Sequence, residues 1–141
     1  MKLLFFFVLN FWGTATYCQN FSKAKTATDS TYGYSIYNPL LLKKGTNGQS
    51  LDYSLKFLGQ LQTVTGQGLV QVKRISVKEP DYNPHKISVF NRRTASYLSR
   101  KRGLYDKYTF IAEGTKDSIV LFVDIYNNGR LLIPKGLQLK K

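Results

Sequence analysis

Asp106 and Asp124 are the two carboxylates best placed for chemistry. Both fall in strand-like runs, Leu104 to Glu113 and Ser118 to Asn127, where a charge is costly unless it is paired. Acting together as acid groups they would need a shared cleft and perturbed proton affinities. The structural alternative pairs Asp124 with Lys107, and Asp106 with Arg74 or with solvent. His85 is the chain's single histidine and stands between Pro84 and Lys86. It lacks the orienting partner or further ligands that acid–base or metal work requires, so a solvated loop residue is expected. No Gly-x-Ser-x-Gly elbow is present. Gly66-Gln67-Gly68 lacks a third glycine and leads into a strand rather than a helix, so it does not read as a phosphate-binding loop. No metal and no cofactor are expected.

The sharpest remaining cluster is basic. Arg92, Arg93, Arg100, Lys101 and Arg102 fall within eleven residues, with Tyr97 among them. Guanidinium forks suit bidentate contacts to carboxylate or phosphate, and a tyrosine ring can stack on a base or sugar. Lys73, Arg74 and Lys78 extend this patch if their strand lies beside the loop. The cluster sits in a chain with 21 Lys and Arg against 8 Asp and Glu, a net charge of +13. Such an excess serves solubility and also attracts polyanions. The partners it points to are an acidic envelope polymer, an anionic lipid surface or an envelope protein.

Location narrows that choice. Lys2 precedes the apolar run Leu3 to Trp12, and Gly13-Thr14-Ala15-Thr16 follows. A charged start, an apolar middle and a small-residue end describe an export signal. The apolar run is about half of the roughly twenty residues a spanning helix needs, so no membrane anchor is expected. Cleavage before Gln19 would remove Cys18, the only cysteine, and leave no disulfide or thiol chemistry. Acylation of Cys18 is the alternative, which the bulky Tyr17 before it opposes. An exported protein meets envelope polymers and lipids rather than nucleic acid.

The elements that must hold these residues follow from periodicity. Residues 19–31 are polar and aperiodic and read as a flexible linker. Tyr32 to Pro39 is an aromatic stretch closing in a turn, and Leu40-Leu41-Leu42 reads as a short strand. Leu51, Leu55, Leu58 and Leu61 or Gln62 recur at helical spacing, predicting a helix over about 50–62 with Ser50 as N-cap and the leucines in the core. Leu69 to Val77 reads as a strand with Val70, Val72 and Arg74 sharing one face, and Ile87 to Phe90 as a short one. Asn91 to Gly103 reads as a basic loop or an irregular helical turn. A hairpin turns at Gly114-Thr115-Lys116-Asp117. Placing Glu113 opposite Ser118 sets Lys107 opposite Asp124 and avoids facing two aspartates. Ile119 to Ile125 should be a central strand, and Leu131 to Ile133 a last one stopped by Pro134. The expectation is a leader over 1–18, a linker over 19–31 and one α+β domain over 32–141, in which one short helix packs on a mostly antiparallel sheet of about four to five strands.

Several of these residues together resemble a known family. Tyr32-Gly33, Asn38-Pro39 and Phe57-Leu58-Gly59-Gln60-Leu61 open the pattern, followed by Gly66 and a strand reaching Arg74. Gly103-Leu104-Tyr105-Asp106-Lys107-Tyr108, Leu121-Phe122-Val123-Asp124-Ile125-Tyr126-Asn127 and Ile133-Pro134-Lys135-Gly136 close it. This is similar to a family of small exported proteins of Gram-negative bacteria, over residues 32 to 137. Its members carry the label 2-dehydro-3-deoxyphosphooctonate aldolase. That chemistry is normally built in a (β/α)₈ barrel of about 250 residues, roughly twice this length, so no such activity is expected. Ile75-Ser76-Val77 stands where the family has Gly-Ser-Cys, which removes any role tied to that cysteine. The resemblance implies export and no established activity. A non-enzymatic binding module with a basic surface is the leading expectation. A small envelope enzyme using Asp106 and Asp124 with Arg74 nearby, or a subunit of a larger envelope assembly, are the alternatives.

Overall fold

The computed structural model describes residues 21–80, 89–91, 96–98 and 103–141. The chain is α+β. Its elements are β1 (Lys25–Thr26), β2 (Leu40–Leu41), α1 (Asn47–Gly59), β3 (Leu61–Thr63), β4 (Leu69–Lys78), β5 (Val89–Asn91), β6 (Ser96–Leu98), β7 (Leu104–Ala112), β8 (Ser118–Asp124), β9 (Leu132–Ile133) and β10 (Leu137–Leu139). The main sheet has the order β2-β8-β7-β4, antiparallel except for the parallel pairing of β2 with β8. The described residues also form three two-stranded pairs: β1 with β9, β3 with β10, and β5 with β6.

Helix α1 begins earlier than its leucines indicate. Thr46, not Ser50, is the N-cap: its hydroxyl accepts from Gln49 N, while Gln49 Oε1 accepts from Thr46 N at 2.9 Å. This reciprocal capping box satisfies two otherwise orphaned amides. The buried face is Ser50, Ser54, Phe57 and Leu58, with Leu61 just beyond, whereas Leu55 is 43% exposed. The serines are tolerated because each hydroxyl donates back to the chain, Ser50 to Thr46 O and Ser54 to Leu51 O. Their small volume leaves Phe57 to fill the interface with Leu40, Tyr108, Phe110, Leu121 and Val123 of the sheet.

The segment over residues 21–31 is not a linker. Phe21 and Ala27 are buried, and the Phe21 ring packs edge-on against Phe57 and tilted against Tyr53. β1 pairs in parallel with β9, and Ala27 N donates to Ile133 O at 2.8 Å. Phe21, Ala24 and Ala27 are the apolar residues that dock this otherwise polar strip. Gly33 explains the close crossing beside it. It has φ +81°, and a Cβ there would meet Pro134 and Leu40 at 3.1–3.2 Å. Only glycine takes that conformation cheaply in that space. The Gly33 carbonyl accepts from Phe122 N, extending the β2 side of the sheet.

The hairpin β7–β8 forms as expected, but its register is different. Ile111 lies opposite Ser118, Lys107 opposite Phe122 and Asp106 opposite Val123. The shift of two residues keeps every side chain on its expected face and unpairs Lys107 from Asp124. Lys107 instead lies over the Phe122 ring, 5.9 Å from its centroid, within cation–π range. A β-bulge falls between Gln71 and Lys73 in β4. It moves Arg74 off the face of Val70, so the simple alternation fails there. β5 forms where a short strand was expected and pairs antiparallel with β6, Phe90 opposite Tyr97; β6 lies in the segment expected to be a loop or helical turn. The final strand Leu132–Ile133 is followed past Pro134 by β10, which pairs with β3.

Candidate functional site

Arg74 and Asp106 come together across β4 and β7. Arg74 lies opposite Tyr108 and Ser76 opposite Asp106, so all four side chains share the helix-covered face of the sheet. Arg74 Nη2 donates to Asp106 Oδ2 at 2.9 Å, and Ser76 Oγ approaches Oδ1 at 3.4 Å. The guanidinium sits over the Tyr108 ring, 5.5 Å from its centroid. The hydrogen bond to Asp106 holds the Arg74 pKa above its ordinary value, so the cation is permanent. The arginine side chain keeps 37% of its surface exposed, against 10% for the aspartate. The pair is therefore a rim structure with its carboxylate tucked in and its cation facing out.

Tyr108 is fully buried, and its hydroxyl has no partner in hydrogen-bonding geometry, although Ser54 lies near enough to favour its ionised form. Burial dominates and pushes its pKa up, opposed by the positive field of Arg74. Ser76, Tyr108 and Ser54 were not singled out by sequence. Their grouping depends on the bulge in β4, which no composition or spacing signal marks.

Asp124 does something else. It is 1% exposed. Its Oδ1 accepts from Tyr126 N at 2.7 Å and Asn127 N at 3.0 Å, and its Oδ2 accepts from Asn127 Nδ2 at 2.6 Å. The carboxylate is consumed in tying down the turn after β8. The register also separates the two aspartates. Asp106 faces the same side as its partner Val123, and Asp124 is the next residue along the strand, so it projects to the other side. The two do not form an acid pair in one cleft.

Other carboxylates are exposed but are also engaged by local partners. Asp29 accepts from Thr31 and Asn38, which holds its pKa below the ordinary value, the Thr31 amide contributing most. Asp52 pairs with Lys56 at 2.7 Å, and Glu113 accepts from Gly68 N at 3.2 Å. Most of the described basic side chains lack a carboxylate partner. Lys23, Lys25, Lys43, Lys44, Lys73, Lys78, Lys116, Arg130, Lys135, Lys140 and Lys141 are exposed, and among the described residues only Lys56 and Arg74 form salt bridges.

Of the basic cluster, Arg92, Arg93, Arg100, Lys101 and Arg102 lie outside the described residues, as does His85. Tyr97 stands in β6. The leader and Cys18 also lie outside them. No group of three or more His, Cys, Asp or Glu able to hold a metal occurs among the described residues, and no helix there is long and apolar enough to cross a membrane. No family model, curated protein or solved structure matches the chain.

Proposed function

We propose that this protein is an exported, non-enzymatic binding module that engages an anionic partner of the cell envelope through its basic surface. One observation carries the reading. The described lysines and arginines are mostly exposed and only Lys56 and Arg74 have counter-charges, while Asp106 and Asp124 are buried and the exposed Asp29, Asp52 and Glu113 are each engaged by a local partner. The basic excess, 21 Lys and Arg against 8 Asp and Glu over the whole sequence, therefore leaves most of the described cations unpaired at the surface. Such a surface concentrates anions and accelerates encounter with them. Export rests on the charged-apolar-small order of residues 2–16 and on the resemblance to small exported proteins of Gram-negative bacteria. The partner is an acidic polymer, a lipid surface or a protein carrying an acidic face.

Heparin retention of the mature protein tests the surface, and substitution of Arg92, Arg93, Arg100 and Arg102 by alanine tests the patch. Retention should weaken markedly in that variant. Retention unchanged by the four substitutions would remove the patch from the function. Mass spectrometry of the exported protein should give Gln19 as its first residue, and a cytosolic protein retaining Met1 would contradict export.

A further inference from the structure

β4 is the outer strand of the main sheet, and nothing among the described residues pairs with its free edge beyond the Gln62–Gly68 bridge at its start. Its outward amides can be named. Glu79 N donates to Gly103 O at 2.7 Å, on the same register line that sets Lys78 opposite Leu104. In an antiparallel ladder bonded and unbonded pairs alternate. Val77, Ile75 and Lys73 therefore bond inward to β7, and Lys78, Ser76 and Arg74 direct their N–H and C=O groups outward. The opposite edge of the sheet agrees with this alternation, since Phe122 N and Asp124 O point away from β7 to Gly33 and Leu42.

An open edge of this kind is a template for an added strand, and proteins normally blunt it. Here the blunting is selective. The bulge interrupts the edge at Val72 and leaves Lys73 to Lys78 as a regular run. Arg74, Ser76 and Lys78 project on one side of that run, with Arg74 paired to Asp106 there, while Lys73, Ile75, 40% exposed, and Val77 project on the other, where Lys107 lies opposite Ile75. In a chain of net charge +13 these cations oppose pairing with a second copy. They do not oppose an acidic strand. We infer that the Lys73–Lys78 edge of β4 docks an extended segment of a partner protein that alternates acidic and apolar residues. The acidic side chains lie beside Arg74 and Lys78 and the apolar ones beside Ile75 and Val77. Main-chain hydrogen bonds supply the attachment and the alternating side chains the selectivity.

This deepens the anionic-partner reading and rests on it, and the test separates the two. The probe is a terminally blocked eight-residue peptide alternating glutamate with valine. Its control has the same composition in two blocks. Ser76→Pro removes one outward N–H without changing charge or an inward bond, a substitution edge strands accept. Ser76→Ala controls for the hydroxyl. The alternating peptide should bind the native protein and Ser76→Ala at least tenfold more tightly than it binds Ser76→Pro, and tenfold more tightly than the block peptide binds. Heparin retention should be the same for all three proteins. Amide exchange of the native protein provides a readout that needs no variant. Arg74, Ser76 and Lys78 should exchange fast alone and slowly with peptide, while Ile75 and Val77 stay protected throughout.

Peptide binding indifferent to Ser76→Pro, or equal for the block peptide, with heparin retention intact, would overturn the docking edge and leave the surface reading standing. Loss of both heparin and peptide binding in the native protein would overturn both. A dimer of the free protein that Ser76→Pro dissociates would assign the edge to a second copy and overturn the acidic partner.

Discussion

Replacing Asp124 tests why a charge sits at the centre of the fold. The carboxylate is 1% exposed and accepts three hydrogen bonds, two from the Tyr126 and Asn127 amides and one from the Asn127 side chain. Asp124→Ala removes all three acceptor contacts at once. Leaving a buried donor unsatisfied costs about 1–3 kcal/mol. The Asn127 side chain is on the exposed side of the turn and can rehydrate, so the loss concentrates on the two amides. Relief of the burial cost of the charge offsets part of it. The net destabilisation is about 2–4 kcal/mol. For a domain of this size, one kcal/mol shifts the melting temperature by about 4 °C, so the midpoint should fall by about 8–16 °C. Asp124→Asn keeps an acceptor oxygen for the amides and loses only the charge-assisted share, about half of that fall. Circular dichroism melts of the three proteins decide the matter. An alanine variant melting within a degree or two of the native protein would refute the reasoning, and so would an asparagine variant no better than alanine.

The capping box of α1 should behave as one unit. Thr46→Ala and Gln49→Ala should each lose about 0.5–2 kcal/mol in denaturant titrations, and the double variant less than their sum, because each side chain satisfies one amide and the two reciprocal bonds hold the same turn. At alkaline pH the buried tyrosines dominate. Burial raises the pKa of Tyr32, Tyr34, Tyr53 and Tyr108, so the folded state holds phenolic protons that the unfolded chain releases near pH 10. Their stabilising share is complete below that point and is lost as the pH rises through the folded values. The denaturant midpoint should hold at pH 9 and drop above about pH 10; a midpoint unchanged at pH 11 would contradict the burial.

Composition and period exposed some elements and hid others for physical reasons. The run Ile119 to Ile125 reads as an interior strand because it is apolar on both faces, and β8 does lie between β2 and β7. The Gly114 turn is visible because only turn residues separate two strand-like runs. The register is not visible that way. Opposite charges favoured Lys107 across from Asp124, but a buried carboxylate gains more from two fixed amides beside it than from one flexible ammonium, and Lys107 settles on Phe122. The leucine stripe marked the core at Leu58 and Leu61, with Leu51 packed against it, but not at Leu55, because Ser50 and Ser54 satisfy their own hydroxyls and are small enough to take the buried face beside Phe57. β1 escaped notice because a two-residue parallel pairing with β9 leaves no periodic trace. At the candidate site, pairing of Asp106 with Arg74 was one of the readings open from sequence. The bulge that brings Ser76 and Tyr108 to the same face is a single unpaired residue and carries no compositional mark.

The measurement closest to the central claim is the affinity of the intact mature protein for heparin as a function of salt. A surface of exposed cations that mostly lack counter-charges predicts affinity falling steeply and linearly on logarithmic axes, by at least tenfold between about 50 and 200 mM salt. Affinity that does not change over that range, or no detectable affinity at the lowest salt, would contradict it.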